Sequence, residues 1–249
     1  MVSKIYLRFY AELNDFLPPA WRQVTIHYNF SPHQTVKDMI EALGVPHTEV
    51  DLILVNGTSV DFSYRPAVDD RISVYPVFEA LDISALLKVR PEPLREIKFV
   101  LDIHLGRLAA YLRMLGFDSL YNNNYDDAEL AMISADEKRI LLTRDRGLLK
   151  RSMVSHGYLV RSDDPREQVP EVLDRFDLYS SVKPFSRCMD CNGLIIKVEP
   201  EKVRASIPVK VWQRCSEYRS CQGCDRIYWK GTHYCRMQDL IKQFVRKKY

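Results

Sequence analysis

Apolar and polar residues alternate through the first thirty positions. Val2, Ile5, Leu7 and Phe9 form an extended, apolar-rich start, and Val24, Ile26, Tyr28 and Phe30 follow beyond a proline-containing loop. A period of two gives a strand one face in a core and one in water, so the two segments predict the arms of a hairpin. The period then lengthens. Val36, Met39, Ile40 and Leu43 recur at helical spacing, with Gly44 and Pro46 ending the run. Leu52 to Val55 and Ile72 to Val77 return to strand character around the Asn56-Gly57 turn.

Residues 81–96 break the pattern, because Pro91 and Pro93 at alternate positions disfavour a continuous helix. They read as an interdomain connection whose Leu81, Ile83, Leu86 and Leu87 are free to dock on a neighbour. Beyond it, KFVLD (98–102) predicts a short buried strand ending in an acid. Leu105, Leu108, Ala109, Leu112 and Leu115 then repeat on a helix whose other side carries Arg107 and Arg113, and Gly116 ends it. Ser119 to Tyr121 gives a strand, Asp127 to Asp136 a helix with Glu129 in its first turn, and RILLTRD a strand ending at Asp145. GYLVRSDD repeats that pattern and ends at Asp163 and Asp164. Strand alternating with helix favours a parallel sheet, whose ligands gather beyond the carboxyl ends of the strands. Acids at such ends cap helices in many proteins. Several packed together would repel one another unless a cation neutralised them, which makes these positions candidates for a Mg²⁺ or Mn²⁺ centre.

Composition and charge narrow this little. The chain of 249 residues is 46% apolar and 28% charged, which is ordinary for folded protein and gives no reason to invoke disorder. Its 36 basic and 33 acidic residues nearly cancel, so net charge does not choose a partner. No apolar run reaches the roughly 18 residues of a membrane span, and the start is not a signal-peptide core, so the expectation is a soluble cytoplasmic protein with reduced thiols.

The cysteines add a second chemistry. Cys188-x-x-Cys191 and Cys221-x-x-Cys224 each let two thiolates reach one ion from a tight turn, and two such turns complete a closed four-thiolate zinc site. Asn192-Gly193 and Gly223 suit those turns. Ile195, Ile196 and Val198, and then Val209 and Val211, supply short strands of a zinc ribbon. Cys215 and Cys235 complicate the count, since either could replace a presumed ligand and His233 could supply nitrogen; the symmetric four-thiolate set is the preferred reading. A zinc hydrolase is disfavoured, since four protein ligands leave no position for water. Basic residues interleave with aromatics around the ribbon. Trp212, Arg226, Tyr228, Trp229 and Lys230 are candidates for binding unpaired nucleic acid, where cations meet phosphate and rings meet bases, although several of the aromatics must build the ribbon's own core. The end, DLIKQFVRKKY, predicts an amphipathic helix docking through Leu240, Ile241 and Phe244.

Two resemblances organise these readings. LILVNGTSVDFSYRPAVDDRISVYPVFE resembles the ubiquitin-like β-grasp domains of the molybdopterin-synthase small subunit and the thiamine sulfur carriers. Those carriers act through a terminal Gly-Gly. Here Phe78-Glu79-Ala80 leads into more chain, so the resemblance implies a scaffold or binding module. FVLDIHLGRLAAYLRMLGFDSLYNNNYDDAELAMISADEKRILLTRDRGLL, with YLVRSDDPREQ and PFSRCMDC after it, resembles the PIN-like RNase domain at the C-terminal end of Mut-seven-type proteins. That family joins an α/β nuclease core to a zinc ribbon, in many prokaryotic members behind a ubiquitin-like domain.

The expected architecture is therefore multidomain α/β. It comprises a β-grasp domain over residues 1–80, a linker at 81–96, a PIN-like parallel-sheet domain at 97–180, a zinc ribbon at 184–236 and a basic helix at 237–249. The resemblance implies a metal-dependent ribonuclease. Its acids map to Asp102, Asp127 or Glu129, Asp145, and Asp163 and Asp164, while Arg107, Arg144, Arg146 and Arg161 are candidates for phosphate. RNA, single-stranded or structured, is the implied partner. The alternative is a noncatalytic RNA- or protein-binding adaptor in RNA-processing or ribosome-associated machinery.

Overall fold

A computed structural model describes residues 4–76, 88–89 and 97–246. Val2, most of the 81–96 connection, Lys247 and Lys248 lie outside the described residues. Along the chain run β1 (Lys4–Phe9), β2 (Ile26–Asn29), α1 (Val36–Ala42), β3 (Leu52–Val55), β4 (Thr58–Val60) and β5 (Arg71–Tyr75). Next come β6 (Lys98–Leu101), α2 (Gly106–Leu115), β7 (Asp118–Tyr121), α3 (Asp127–Asp136), β8 (Ile140–Thr143), α4 (Arg146–Leu149), β9 (Gly157–Leu159) and α5 (Pro165–Arg175). The last stretch holds β10 (Ile195–Val198), α6 (Pro200–Val203), α7 (Val209–Trp212), β11 (Tyr218–Cys221), β12 (Ile227–Trp229) and α8 (Thr232–Val245). Packing groups them into two compact units that do not follow chain order: Met1–Glu96 with Asp127–Leu159, and Ile97–Asp126 with Val160–Tyr249.

In the first unit, β1 to β5 form a β-grasp sheet of order β2-β1-β5-β3-β4. The predicted hairpin is there, with Ile5 opposite Tyr28 and Leu7 opposite Ile26. It is shorter than the alternation suggested, because Val24 is exposed and lies outside β2. β5 returns parallel to β1 and antiparallel to β3. Inward-facing Ile5, Leu7, Ile53, Ile72 and Val74 are buried, as are Val36, Met39 and Ile40 of α1. A reciprocal cap starts that helix: Thr35 Oγ1 accepts from the Asp38 N–H, and Asp38 Oδ2 accepts from the Thr35 N–H at 2.8 Å. Asn56 and Gly57 both take positive φ, as a tight β3–β4 hairpin turn demands.

The same unit contains α3, β8, α4 and β9, with β8 parallel to β9. Buried polar groups join this segment to the β-grasp chain. Glu49, fully buried, accepts the Leu159 N–H at 2.6 Å, Lys150 Nζ donates to the Glu41 carbonyl, and His47 sits 2.7 Å from the Glu41 carboxylate and 2.8 Å from the Val154 carbonyl. The two ring nitrogens of His47 thus face a carboxylate on one side and a backbone carbonyl on the other, which ties Glu41 and residue 154 together through one ring.

In the second unit β6 lies parallel to β7, so both strand pairs of the α/β segment are parallel, as the strand-helix alternation implied. Phe99 of β6 meets Phe117 and Phe176, and α2 packs on α5. The ribbon sheet has order β10-β11-β12. Val209 and Val211, expected in a strand, belong instead to the short helix α7. Pro208 starts it by accepting the N–H groups of Val211 and Trp212, and Val209 faces water, so β-branching there serves no sheet. The terminal helix begins at Thr232, earlier than its sequence signal, and buries Ile241 and Phe244 with the Phe244 ring 5.3 Å from that of Tyr111.

Glu49→Ala should lower the unfolding free energy by roughly 1 to 3 kcal/mol, since it leaves the buried Leu159 N–H without its acceptor. Denaturant unfolding measures this, and a loss below about 1 kcal/mol would mean that the contact is dispensable.

Candidate functional site

Cys188 and Cys191 lie in the turn before β10, Cys221 ends β11 and Cys224 follows in the next turn. Their four sulfurs lie within 4.8 Å of one another, with Cys188 to Cys224 at 3.7 Å and Cys191 to Cys221 at 3.3 Å. A tetrahedral zinc with bonds of about 2.3 Å separates its sulfurs by about 3.8 Å, so the donor set fits that ion. Among the described residues these cysteines are the group of metal-binding side chains gathered this closely. Cys215 packs against the small core of Val203, Ile207 and Tyr218, while Cys235 and His233 are exposed on α8.

The backbone makes room for the sulfurs and donates to them. A Cβ on Gly193 would stand 2.8 Å from Cys221 Sγ and one on Gly223 would stand 3.2 Å from Cys191 Sγ. The Cys191 and Gly223 N–H groups point at Cys188 and Cys221 sulfur. Burial alone would push the Cys188 thiol up, but the Cys191 N–H and the Tyr228 hydroxyl, 2.9 Å away, favour its thiolate and hold it at about 6. Burial and the hydrogen-bonded neighbouring thiols push Cys191 up to about 12. Four thiolates do not coexist at neutral pH without a cation.

The first knuckle is fixed to α2 and β7 by polar contacts that the sequence did not reveal. Arg113, read as a solvent-side helix residue, is buried. It donates to the Ser119 carbonyl at 2.8 Å and to the carbonyls of Met189 and Asp190 at 3.2 and 2.7 Å. Desolvation lowers its pKa, opposed by Cys188, Cys191, Asp190 and Asp118. Asn192 Oδ1 accepts the Ser119 N–H and its Nδ2 donates to Asp118, which also pairs with Arg187. Helical periodicity puts Arg113 on a polar stripe; only the tertiary position of residues 189–192 makes that stripe an interior.

The acids occupy defined backbone positions. Asp102 is buried after β6 and its Oδ1 accepts the His104 N–H at 2.7 Å. Asp145, two residues past β8, caps α4 through Oδ1 to the Gly147 N–H at 2.6 Å, and its own N–H donates to buried Thr143 Oγ1. Thr143 therefore fixes the backbone of Asp145. Asp164 caps α5 by accepting the Arg166 N–H. Capping is the ordinary role of such acids, and it engages one oxygen; Oδ2 of Asp145 and of Asp164 makes no hydrogen bond among the described residues. Asp127 and Glu129 are exposed in the first turn of α3, with Asp127 3.7 Å from Arg151.

Asp163 and Asp164 differ from expectation, since β9 ends at Leu159 and does not reach them. Side chains of α5 take over the intervening backbone: Glu171 accepts the Arg161 and Ser162 N–H groups, and Gln168 donates to the Ser162 carbonyl. Arg107, Arg144 and Arg146 are exposed, Arg146 with its guanidinium 5.2 Å from the Phe16 ring centre, and Arg161 is half-buried. Of the ribbon candidates, Tyr228, Trp229 and Lys230 line a cavity, Trp212 stacks on Tyr218, and Arg226 pairs with Asp190.

A ubiquitin-like domain, a parallel α/β segment and a four-cysteine ribbon define a class of multidomain α/β protein. Residues 97–241 match the Mut7-C RNAse domain and residues 2–82 match the Mut7-C ubiquitin domain, so the chain belongs to the Mut7-C RNase domain family. Comparison with curated proteins and with solved structures gives no match. No helix among the described residues is long and apolar enough to cross a membrane.

Arg113→Met should cost about 3 kcal/mol of stability by leaving the buried Ser119 carbonyl and the part-buried carbonyls of Met189 and Asp190 without their donor, and should speed zinc loss to a chelator. Chemical denaturation and chelator kinetics test this; unchanged values in both would show that the knuckle stands without Arg113.

Proposed function

We propose that the protein is a metal-dependent ribonuclease, hydrolysing RNA phosphodiesters at an acidic Mg²⁺ or Mn²⁺ centre and carrying structural zinc in its ribbon. The observation that carries this reading is the family match over residues 97–241; supporting it, Asp102, Asp145 and Asp164 each cap the start of a helix. Hard divalent cations take a few carboxylate oxygens and keep the rest of their shell for water and phosphate. When bound, such an ion would lower the pKa of the attacking water and offset charge on the phosphoryl group.

The chain's part is to hold and orient. Asp102 and Asp145 are the ligands we place first, because each is held by its own capping bond. Asp127 or Glu129, with Asp163 or Asp164, supply further oxygens. Arg107, Arg144, Arg146 and Arg161 are assigned to phosphate, whose paired oxygens match the guanidinium fork. The cysteines take no part in the reaction, since a zinc with four protein ligands has no position left for water.

One observation favours the noncatalytic adaptor reading: capping by itself gives Asp102, Asp145 and Asp164 a structural reason to be acids. Asparagine caps a helix as well as aspartate does. Asp145→Asn therefore separates the readings without disturbing α4. With labelled single-stranded and structured RNA, and DNA controls, the zinc-loaded wild type should cleave RNA in Mn²⁺ or Mg²⁺ and not in EDTA. The variant should lose about 100-fold or more of that rate while melting as the wild type does. Equal cleavage by both proteins would reject the acidic centre, and no cleavage by either would favour the adaptor.

Metal analysis should find about one zinc per chain. Cys191→Ser and Cys224→Ser should lose it, whereas Cys215→Ala and Cys235→Ala should keep it; retention in the first pair would mean another ligand set.

A further inference from the structure

We infer that a cavity in the ribbon unit receives one unpaired RNA base, with the flanking phosphates held by Lys197, Arg219 and Lys230. The choice of RNA rests on the ribonuclease reading; the site itself rests on the ribbon. The cavity measures about 120 Å³. Drug-sized ligands occupy roughly 300 Å³ or more, so it suits a single ring whose backbone runs outside.

The ribbon's register builds its floor. Lys197 lies opposite Arg219, and Arg219 opposite Tyr228, so one cross-strand row presents two cations and a ring on one face. Tyr218, the neighbour of Arg219 along β11, points the other way and is buried in the small core. Phe185 and Tyr234 form a wall, with ring centres 4.6 Å apart. The Tyr228 ring is pinned because its hydroxyl lies 2.9 Å from Cys188 Sγ, which couples the cavity to the four-cysteine site.

Charge at the mouth selects the occupant. Like charges directly opposite on neighbouring strands are unfavourable on their own, and Lys197 and Arg219 are so placed. Arg219 makes no ion pair among the described residues. Glu217, the acid of the lining, bonds Lys230 at 2.8 Å and lies in the field of Lys197 and Arg219 as well. One carboxylate does not neutralise three cations. An apolar peptide side chain would leave that excess unmet, whereas a base between phosphates meets both the rings and the charge.

The test uses the full, zinc-loaded chain carrying Asp145→Asn, so that RNA is not cut, and an unstructured labelled RNA of about eight nucleotides. Tyr234→Ala should weaken binding about tenfold and Tyr234→Phe should not, because stacking needs only the ring. Arg219→Gln should reduce the salt slope of binding by about one. An oligomer lacking bases should bind the Tyr234→Ala form and its parent alike. Unchanged affinity and salt slope in variants that keep their zinc would overturn the inference, as would absence of RNA binding by the parent, which would turn the cavity towards a protein ligand. If protein with Asp145 intact cleaves RNA and these substitutions alter neither binding nor KM, the cavity assignment fails and the nuclease reading stands. If binding falls as expected and no form cleaves, the reverse holds.

Discussion

Four cysteine sulfurs drawn into one turn-rich corner repel as thiolates, and much of the second unit is arranged to hold them there. Two of the residues nearest the sulfurs are glycines, because a Cβ at either position would press on a thiolate. Backbone N–H groups and the Tyr228 hydroxyl lower the cost of charge on Cys188, yet Cys191 is left with a raised pKa. A divalent ion that accepts thiolates would resolve that mismatch, and the spacing of the four sulfurs is compatible with one. Arg113 and Asn192 then carry the order outward, tying the knuckle to the end of α2 and to β7, so the ribbon is fixed to the strand pair it follows and does not hang from it by covalent chain alone.

The acids show a second economy of structure. A helix N-terminus needs an acceptor for its orphan N–H groups, and a carboxylate satisfies this with one oxygen. Placing Asp145 and Asp164 at such points fixes their backbones and leaves another oxygen directed elsewhere. Capping and ligation are thus compatible uses of one side chain. For the same reason a strand-end acid in a sequence is ambiguous evidence, and an amide substitution, which keeps the cap and removes the charge, is the informative perturbation.

Local pattern made much of the fold legible. Ile5, Leu7 and Ile26 announced a hairpin, Val36, Met39 and Ile40 a helix, and Asn56-Gly57 its turn, because each signal is written within a few residues of where it acts. The Cys-x-x-Cys pairs were legible for the same reason. What sequence concealed was long-range: Arg113 is distinguished from Arg107 only by what residues 189–192 place against it. Val209 and Val211 looked like strand because β-branching says nothing of Pro208 starting a helix. The reach of β9 was overread, since Glu171 and Gln168, ten and six residues from their partners, replace a neighbouring strand there.

The β-grasp domain was legible in shape and silent in purpose. Phe78-Glu79-Ala80 leads into more chain where the sulfur carriers it resembles end in Gly-Gly, and the contacts of its 47–49 turn show what the domain holds. Glu49 is buried completely, and burying a carboxylate is costly unless donors meet it. One of those donors is the N–H of Leu159, the last residue of β9. His47 and Glu41 add a second buried polar tie to residue 154. A module attached only through a linker would have no use for such groups, because their desolvation is repaid only while the partner segment is in place. The β-grasp domain is in this sense part of the structure that holds β9 and the end of α4, the short helix that Asp145 caps.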